Sequence, residues 1–323
     1  MKKSVGIDVS KATLDVCYRT ANEQQRHRVF DNTAKGHQQL LRWLKGLHEK
    51  SLTDLPVIIE ATGVYHLQLA KKLQQQNMLL CILNPLQAHY YAKGSGLRGK
   101  TDKLDSYMLA CYGLEREIVV WQPASQERIE LKALNTRLFA VEKDIRRELN
   151  RLESAQTAAQ SQLVVRLIKQ SIRSLEKQAE KLIVLIDEYI GKHENLEKDQ
   201  KLLLSIPGIG EVCCRYLLAE IYERRFKSAS QCAAYMGLVP VPHQSGNREA
   251  SSLSRAGNRQ LKAKLYMAAI VAKQHNPVLK KHYDQLLARG KCKMSALCAV
   301  MRRLVQICFG VIKHQSAFCL QAA

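Results

Sequence analysis

At 323 residues the chain is too long for one ordinary domain and long enough for two or three hydrophobic cores. Its 46% hydrophobic and 24% charged residues make a globular composition and exclude wholesale disorder. Lys plus Arg number 50 against 29 for Asp plus Glu, and the net charge of +21 favours a polyanionic partner over a merely solvated basic surface, because each phosphate neutralised releases a condensed counterion.

The opening residues Met1-Lys2-Lys3-Ser4-Val5-Gly6-Ile7-Asp8 lack the apolar core of a secretory signal, and no apolar run approaches the ~18 residues of a membrane span. A cytoplasmic protein with no membrane partner is expected. The ten cysteines show no CxxC pair and no Cys/His cluster at zinc spacing. They read as reduced core cysteines.

Residues 1–115 read as an α/β unit. Strand-like runs at 5–9, 13–19 and 26–32 are separated by polar turns. Helical patterns at 35–47 and 64–75 then alternate with buried-strand runs at 56–60 and 78–83, and Asn84-Pro85 stops the last of these. Three successive strands followed by alternating helix and strand predict a mixed sheet with helices on its faces.

The middle of the chain changes period. Leu131, Leu134, Leu138, Val141, Ile145, Leu149 and Leu152 recur nearly always at steps of three and four, and Ile168, Ile172, Leu175, Ala179, Leu182, Ile186 and Tyr189 repeat the pattern. No Gly or Pro interrupts residues 124–190, so a coiled-coil pair of helices with a turn at 154–162 is expected. Its seam would close as a hairpin or against another subunit.

From about residue 200 a helical region begins, with Ile206-Pro207-Gly208-Ile209-Gly210 as a tight corner between helices. Such a corner resembles the helix-hairpin-helix element of DNA-binding proteins, whose backbone N–H groups point at a phosphate; an ordinary packing corner is the alternative. Residues 238–254 read as a loop, and helical patterns resume at 258–273 and 294–313. Three domains follow, at 1–120, 121–197 and 198–323.

Four acids carry the chemical expectation. Asp8 ends or nearly ends the first strand, Glu60 ends another buried run, and Asp102 and Asp105 lie three apart at the start of a helix, on one face. If the strands carrying Asp8 and Glu60 are neighbours, all four converge on one edge of the sheet. Hard oxygen ligands suit Mg2+ or Mn2+, and two such ions roughly 4 Å apart serve phosphodiester displacement. Each acid taken singly is equally a solvated strand end or a helix cap. A second candidate is the stretch from Pro242 to Arg255, where a serine beside glycine and arginine could act as a nucleophile; Ser245, Ser251, Ser252 and Ser254 all qualify there.

Several ordered motifs together resemble one family. They are Gly6-Ile7-Asp8-Val9, Glu60-Ala61-Thr62-Gly63-Val64-Tyr65, Asn84-Pro85, the stretch Gly96 to Asp105, Ser205-Ile206-Pro207-Gly208-Ile209-Gly210, Gly237-Leu238-Val239-Pro240, Gln244-Ser245-Gly246 and Ser254-Arg255-Ala256-Gly257-Asn258. Across nearly its whole length the chain is similar to the DEDD-type insertion-sequence transposases that carry a catalytic serine and use an element-encoded bridge RNA. The resemblance implies an RNase H/RuvC-like N-terminal domain with Asp8, Glu60, Asp102 and Asp105 as ligands of two Mg2+ or Mn2+ ions. It implies Ser245 as the nucleophile of a covalent phosphoserine intermediate, with Arg248 or Arg255 near the scissile phosphate. It also implies donor and target DNA as substrates, a guide RNA that pairs with both, a homotetramer built as a dimer of dimers, and a nucleoid-associated place in a prokaryotic cell. Two other readings stand beside it: a RuvC-like junction resolvase using water, and a non-enzymatic nucleic-acid-binding protein.

Overall fold

Alternating apolar residues in the first strand and a continuous Val57-Ile58-Ile59 run in a later one call for a sheet covered on both faces. In the computed structural model the described residues are 2–48, 51–61, 63–96, 99, 101–123, 125–221, 226–245, 248–254 and 257–319. They form two compact units, Met1–Pro123 and Ala124–Ala323.

The first unit holds a five-stranded sheet of β1 (Lys3–Val9), β2 (Thr13–Thr20), β3 (Gln25–Asp31), β4 (Pro56–Glu60) and β5 (Leu79–Leu83), in the order β3-β2-β1-β4-β5. The first three strands form an antiparallel meander, whereas β4 lies parallel to β1, and β5 parallel to β4. This is the mixed α/β arrangement expected, and it is consistent with an RNase H-like domain. On one face Val5, Ile7, Val9, Leu14 and Val16 bury against Leu40, Leu41 and Leu44 of α1 (Ala34–Leu47) and Leu69, Ala70 and Leu73 of α2 (Leu67–Gln75). On the other face Ile58, Cys81 and Leu83 meet Leu109 of α4 (Asp102–Glu115).

Asn84-Pro85 does more than stop β5. The Asn84 side chain accepts from the Leu86 N–H at 2.9 Å, and Pro85 opens a helix, α3 (Pro85–Gly94), that periodicity did not reveal. The second unit repeats the device. Asn276 ends α10 (Arg259–His275), and its side chain caps α11 (Pro277–Ala288), accepting from Val278 at 3.1 Å and Leu279 at 3.3 Å.

The heptad segment forms α5 (Gln126–Thr157) and α6 (Gln162–Gly191), packed on each other. The expected turn is shorter than 154–162, because helix-compatible residues carry α5 on to Thr157. Next come α7 (Glu194–Leu204), α8 (Glu211–Ile221) and α9 (Ala229–Tyr235). Gly208, at the α7–α8 corner, has φ +106°, and a Cβ there would lie 2.4 Å from Ala272 Cβ on α10. Its lack of a side chain is thus a packing requirement, while Gly210 faces open space. Arg215 of α8, only 7% exposed at its side chain, forks onto Asp187 of α6 with two 2.6 Å bonds. Residues 238–254 are not a loop throughout: β6 (Pro240–Ser245) and β7 (Arg248–Leu253) pair as a two-stranded ribbon. In such a ribbon alternate N–H groups face outward, so two prolines spaced by two are tolerated.

The last helix, α12 (Lys293–His314), is by length and composition the one helix among the described residues able to cross a membrane. Half of its most apolar stretch is nonetheless buried inside the second unit, where Val300, Leu304, Val305 and Cys308 join the core. All ten cysteines are free, and seven of them are buried.

Candidate active site

Residues Val5, Gly6 and Ile7 pair in parallel with Val57, Ile58 and Ile59, so Asp8 and Glu60 follow side by side at the same end of adjacent strands. The shared register places Gly6, Asp8, Ile58 and Glu60 on one face. That face carries α4. A Cβ on Gly6 would lie 2.0 Å from the Ser106 carbonyl oxygen and 2.3 Å from the Ala110 nitrogen, so the helix backbone rests directly on β1. One Cβ on Gly113, further along, would meet Ser4 Oγ at 2.1 Å. The helix therefore runs from Asp8 back towards Ser4, and its first turn, with Asp102 and Asp105, starts at the Asp8 end. Thr101 begins that turn, its hydroxyl oxygen accepting from the Leu104 N–H at 3.2 Å.

The electrostatics follow this placement. Asp8 is half-buried, and its carboxyl is raised from the ordinary 3.8 to about 6, first by burial and then by the charges of Asp105, Asp102, Glu60 and Asp15. Glu60, Asp102 and Asp105 thus all act on Asp8 at one end of the sheet. Asp15 was missed by sequence reasoning. It pairs directly across from Asp8 in the β1–β2 register and so lies on the same face, with the His27 ring nitrogen 3.2 Å from its carboxylate. The signal was present, since a tight turn after Val9 fixes that pairing.

Among the described residues no group of three or more His, Cys, Asp or Glu stands close enough to form a ready-made cation cage. The donor chemistry still fits a hard divalent ion: all are carboxylates, and a cation would offset both the burial of Asp8 and the neighbouring charges that raise its carboxyl.

Asp8 holds its proton more tightly in the folded protein than in the unfolded chain. The stability it contributes is fully present below about 3.8 and is lost as the pH rises through about 6. In chelator, the Asp8 contribution to melting of the first unit is expected to decline between pH 4 and pH 7. Added Mn2+ is expected to raise melting more at pH 7 than at pH 5. Thermal scans with and without Mn2+ at both values check this, and equal stabilisation at the two would contradict it.

Two hydrogen bonds bridge the segments that leave these strands. The Asn32 side-chain Nδ2 donates to the Ser10 carbonyl at 2.9 Å and to the Tyr65 carbonyl at 3.2 Å. On the opposite sheet face Arg42, Lys45 and Lys72 line a groove with Gln38 and Gln76 of α1 and α2 and its edge.

In the second unit the backbone of Ser245 is the last residue of β6, opposite Arg248 of β7. Gly246, Asn247 and Arg255 lie outside the described residues, as do the side chains of Ser245 and Arg248. Ser251 pairs with Pro242 and Ser252 with Val241, further back along the ribbon, and both are exposed. Ser254 is half-buried, and its carbonyl accepts from Lys262 Nζ at 2.7 Å.

Comparison with known proteins gives concordant matches. Residues 5–159 match a DEDD transposase family profile, and residues 200–284 match one described as transposase IS116/IS110/IS902 family. The chain is 35% identical over 323 residues to the pilin gene-inverting protein of Moraxella lacunata, covering 98% of each. Its counterpart in Moraxella bovis is 34% identical over the same span. The 43.6 kDa protein of insertion element IS110 from Streptomyces coelicolor is 28% identical over 153 residues, 47% of this chain and 37% of that one.

Proposed function

The chain belongs to the IS116/IS110/IS902 family of insertion-sequence transposases, and on that footing we propose that it exchanges DNA strands through a metal-assisted serine nucleophile. What supports this reading is the β1–β4 register that sets Asp8 beside Glu60, together with the charges of Asp105, Asp102 and Glu60 that add to burial in raising the Asp8 carboxyl. Asp8, Glu60, Asp102 and Asp105 would hold two Mg2+ or Mn2+ ions, which supply positive charge to the oxygens that become anionic during phosphodiester transfer. Ser245 is the proposed nucleophile. Its Oγ gives up a proton and bonds to phosphorus, a phosphorus–oxygen bond of the DNA breaks, and the released DNA oxygen takes a proton. A DNA hydroxyl from the exchanged strand later reverses the step and frees the serine. Arg248 and Arg255 are proposed to face the phosphate.

Donor and target DNA are the proposed substrates, with a guide RNA supplying sequence choice by base pairing. The net charge of +21 and the basic groove on α1 and α2 support binding of phosphate backbones. Exposed Leu163, Val164, Leu167, Val184 and Leu185 on α6 support assembly into a homotetramer along that hairpin. The three-domain division at 1–120, 121–197 and 198–323 is retained as part of this proposal. The Moraxella relatives are named for inverting a gene, so inversion or excision of the DNA between two sites is the proposed outcome.

The acids serve a junction resolvase with water as nucleophile equally well, and one experiment separates the two. Covalent protein–DNA complexes are trapped in cells carrying the chain with its flanking DNA, for wild type, Ser245→Ala and Asp102→Ala. Adduct in wild type that falls roughly 10³-fold in both variants supports the serine mechanism. Cutting without adduct, lost only in Asp102→Ala, means a hydrolytic nuclease.

A further inference from the structure

Asn32 follows β3 directly and is tied to several segments at once. Its backbone N–H donates to the Ala12 carbonyl at 2.8 Å. Its side-chain Nδ2 donates to Ser10 O, two residues beyond Asp8, and to Tyr65 O, in the segment that leaves Glu60. Its Oδ1 faces His37 Nε2 at 2.9 Å. Two carbonyl acceptors on one side and a ring nitrogen on the other leave one consistent orientation of the amide, with His37 donating from Nε2. His37 is buried at 3% exposure, and burial together with the nearby Lys72 favours its neutral form. The start of α1 is held close as well, since a Cβ on Gly36 would lie 2.0 Å from the Asp31 carbonyl oxygen.

The Ser10 side of this bridge is itself well ordered. Ser10 Oγ accepts from the Thr13 N–H at 2.9 Å, and the Ser10 N–H donates to the Thr13 carbonyl at 2.9 Å. Displacing the Ser10 carbonyl therefore displaces the turn that ends β1, and with it the backbone two residues after Asp8.

We propose that Asn32 is a positioning residue of the acid site: by clasping the Ser10 and Tyr65 carbonyls it sets the separation of the segments beyond Asp8 and Glu60, and so the span over which those carboxylates share a cation. The proposal rests on the reading that these acids are metal ligands. Partners of this kind, one bond removed from the ligands, typically change metal affinity by about 10–100-fold when lost.

The test uses the full chain, with Mn2+ as the probe and free Mn2+ read by electron paramagnetic resonance. Asn32→Ala is expected to raise the Mn2+ concentration at half occupancy about 10-fold, and to raise the Mn2+ needed for half-maximal strand transfer in parallel. Leu44→Ala, which opens the core on the α1 side, is expected to lower melting at least as far with Mn2+ affinity unchanged. If Asn32→Ala fails to fold, His37→Phe removes the donor to Oδ1 and is expected to weaken Mn2+ binding in the same direction. Wild-type Mn2+ affinity in Asn32→Ala, or a loss matched by Leu44→Ala, overturns the positioning role. Mn2+ uptake by Asp8→Asn equal to that of wild type overturns the ligand reading on which it stands, whatever Asn32→Ala does.

Discussion

Asp8→Asn is expected to abolish strand transfer and at the same time to raise the melting temperature of the metal-free protein at pH 7. The two effects share one cause. Burial first, and then the charges of Asp105, Asp102, Glu60 and Asp15, hold the Asp8 carboxyl at about 6. At neutral pH the ionised group is therefore a net cost to the fold, and the neutral amide removes it at nearly constant shape. Water screens part of this repulsion, so the gain is expected to be about 3 °C rather than the full value implied by the shift. The same change deletes a hard anionic ligand, and activity is expected to fall roughly 10³-fold or more. The two measurements are a thermal scan in chelator and a strand-transfer assay in Mg2+. A variant that melts below wild type at pH 7 would mean that Asp8 is held by favourable contacts, and the site would need a different electrostatic account.

Gly6→Ala is expected to be strongly destructive to the first unit. One added methyl would lie 2.0 Å from the Ser106 carbonyl oxygen and 2.3 Å from the Ala110 nitrogen, both backbone atoms of α4 that have no rotamer to adopt. Relief requires α4 to lift from β1, which opens the layer containing Ile58 and Leu109. The loss is expected to be about 3 kcal/mol or more, as overpacking against backbone gives. Gly46→Ala is the matched control. A Cβ on Gly46 meets nothing within 4 Å in α1, so that variant is expected within about 1 kcal/mol of wild type on the stabilising side. Denaturant unfolding of both variants measures the contrast. Equal stabilities would show that α4 does not bear on β1 as closely as described.

Much of this was legible before any coordinates, for physical reasons that differ by segment. Strands β1 to β5 announce themselves by two-residue alternation or by unbroken apolar runs, and α5 and α6 by sustained spacing of three and four. Asp8 and Glu60 were readable as a pair because both close buried strands. Helices α3 and α11 were not: α3 carries no strong apolar stripe, α11 is short, and the clearest mark of both is an Asn-Pro start that reads equally as a stop. The ribbon of β6 and β7 was hidden by Pro240, Pro242 and several serines, residues whose usual preference is for turns. Asn32 was invisible for another reason: its importance lies in the Ser10 and Tyr65 carbonyls it reaches, and no local pattern encodes partners some distance along the chain.

The seam between β1 and α4, where Gly6 and Gly113 let backbone and small side chains touch, has a bearing on descent as well as on packing. Copies of an insertion element decay once selection for mobility relaxes, and Asp8 is then free to drift because, without a cation, its ionised carboxylate is a cost to the fold. The seam glycines are not free, since a copy that loses them loses the folded domain too. Among inactive relatives that still make folded protein, Asp8 is therefore expected to vanish first and the glycines last, which would let a silent copy be dated by whether the one has eroded while the others persist.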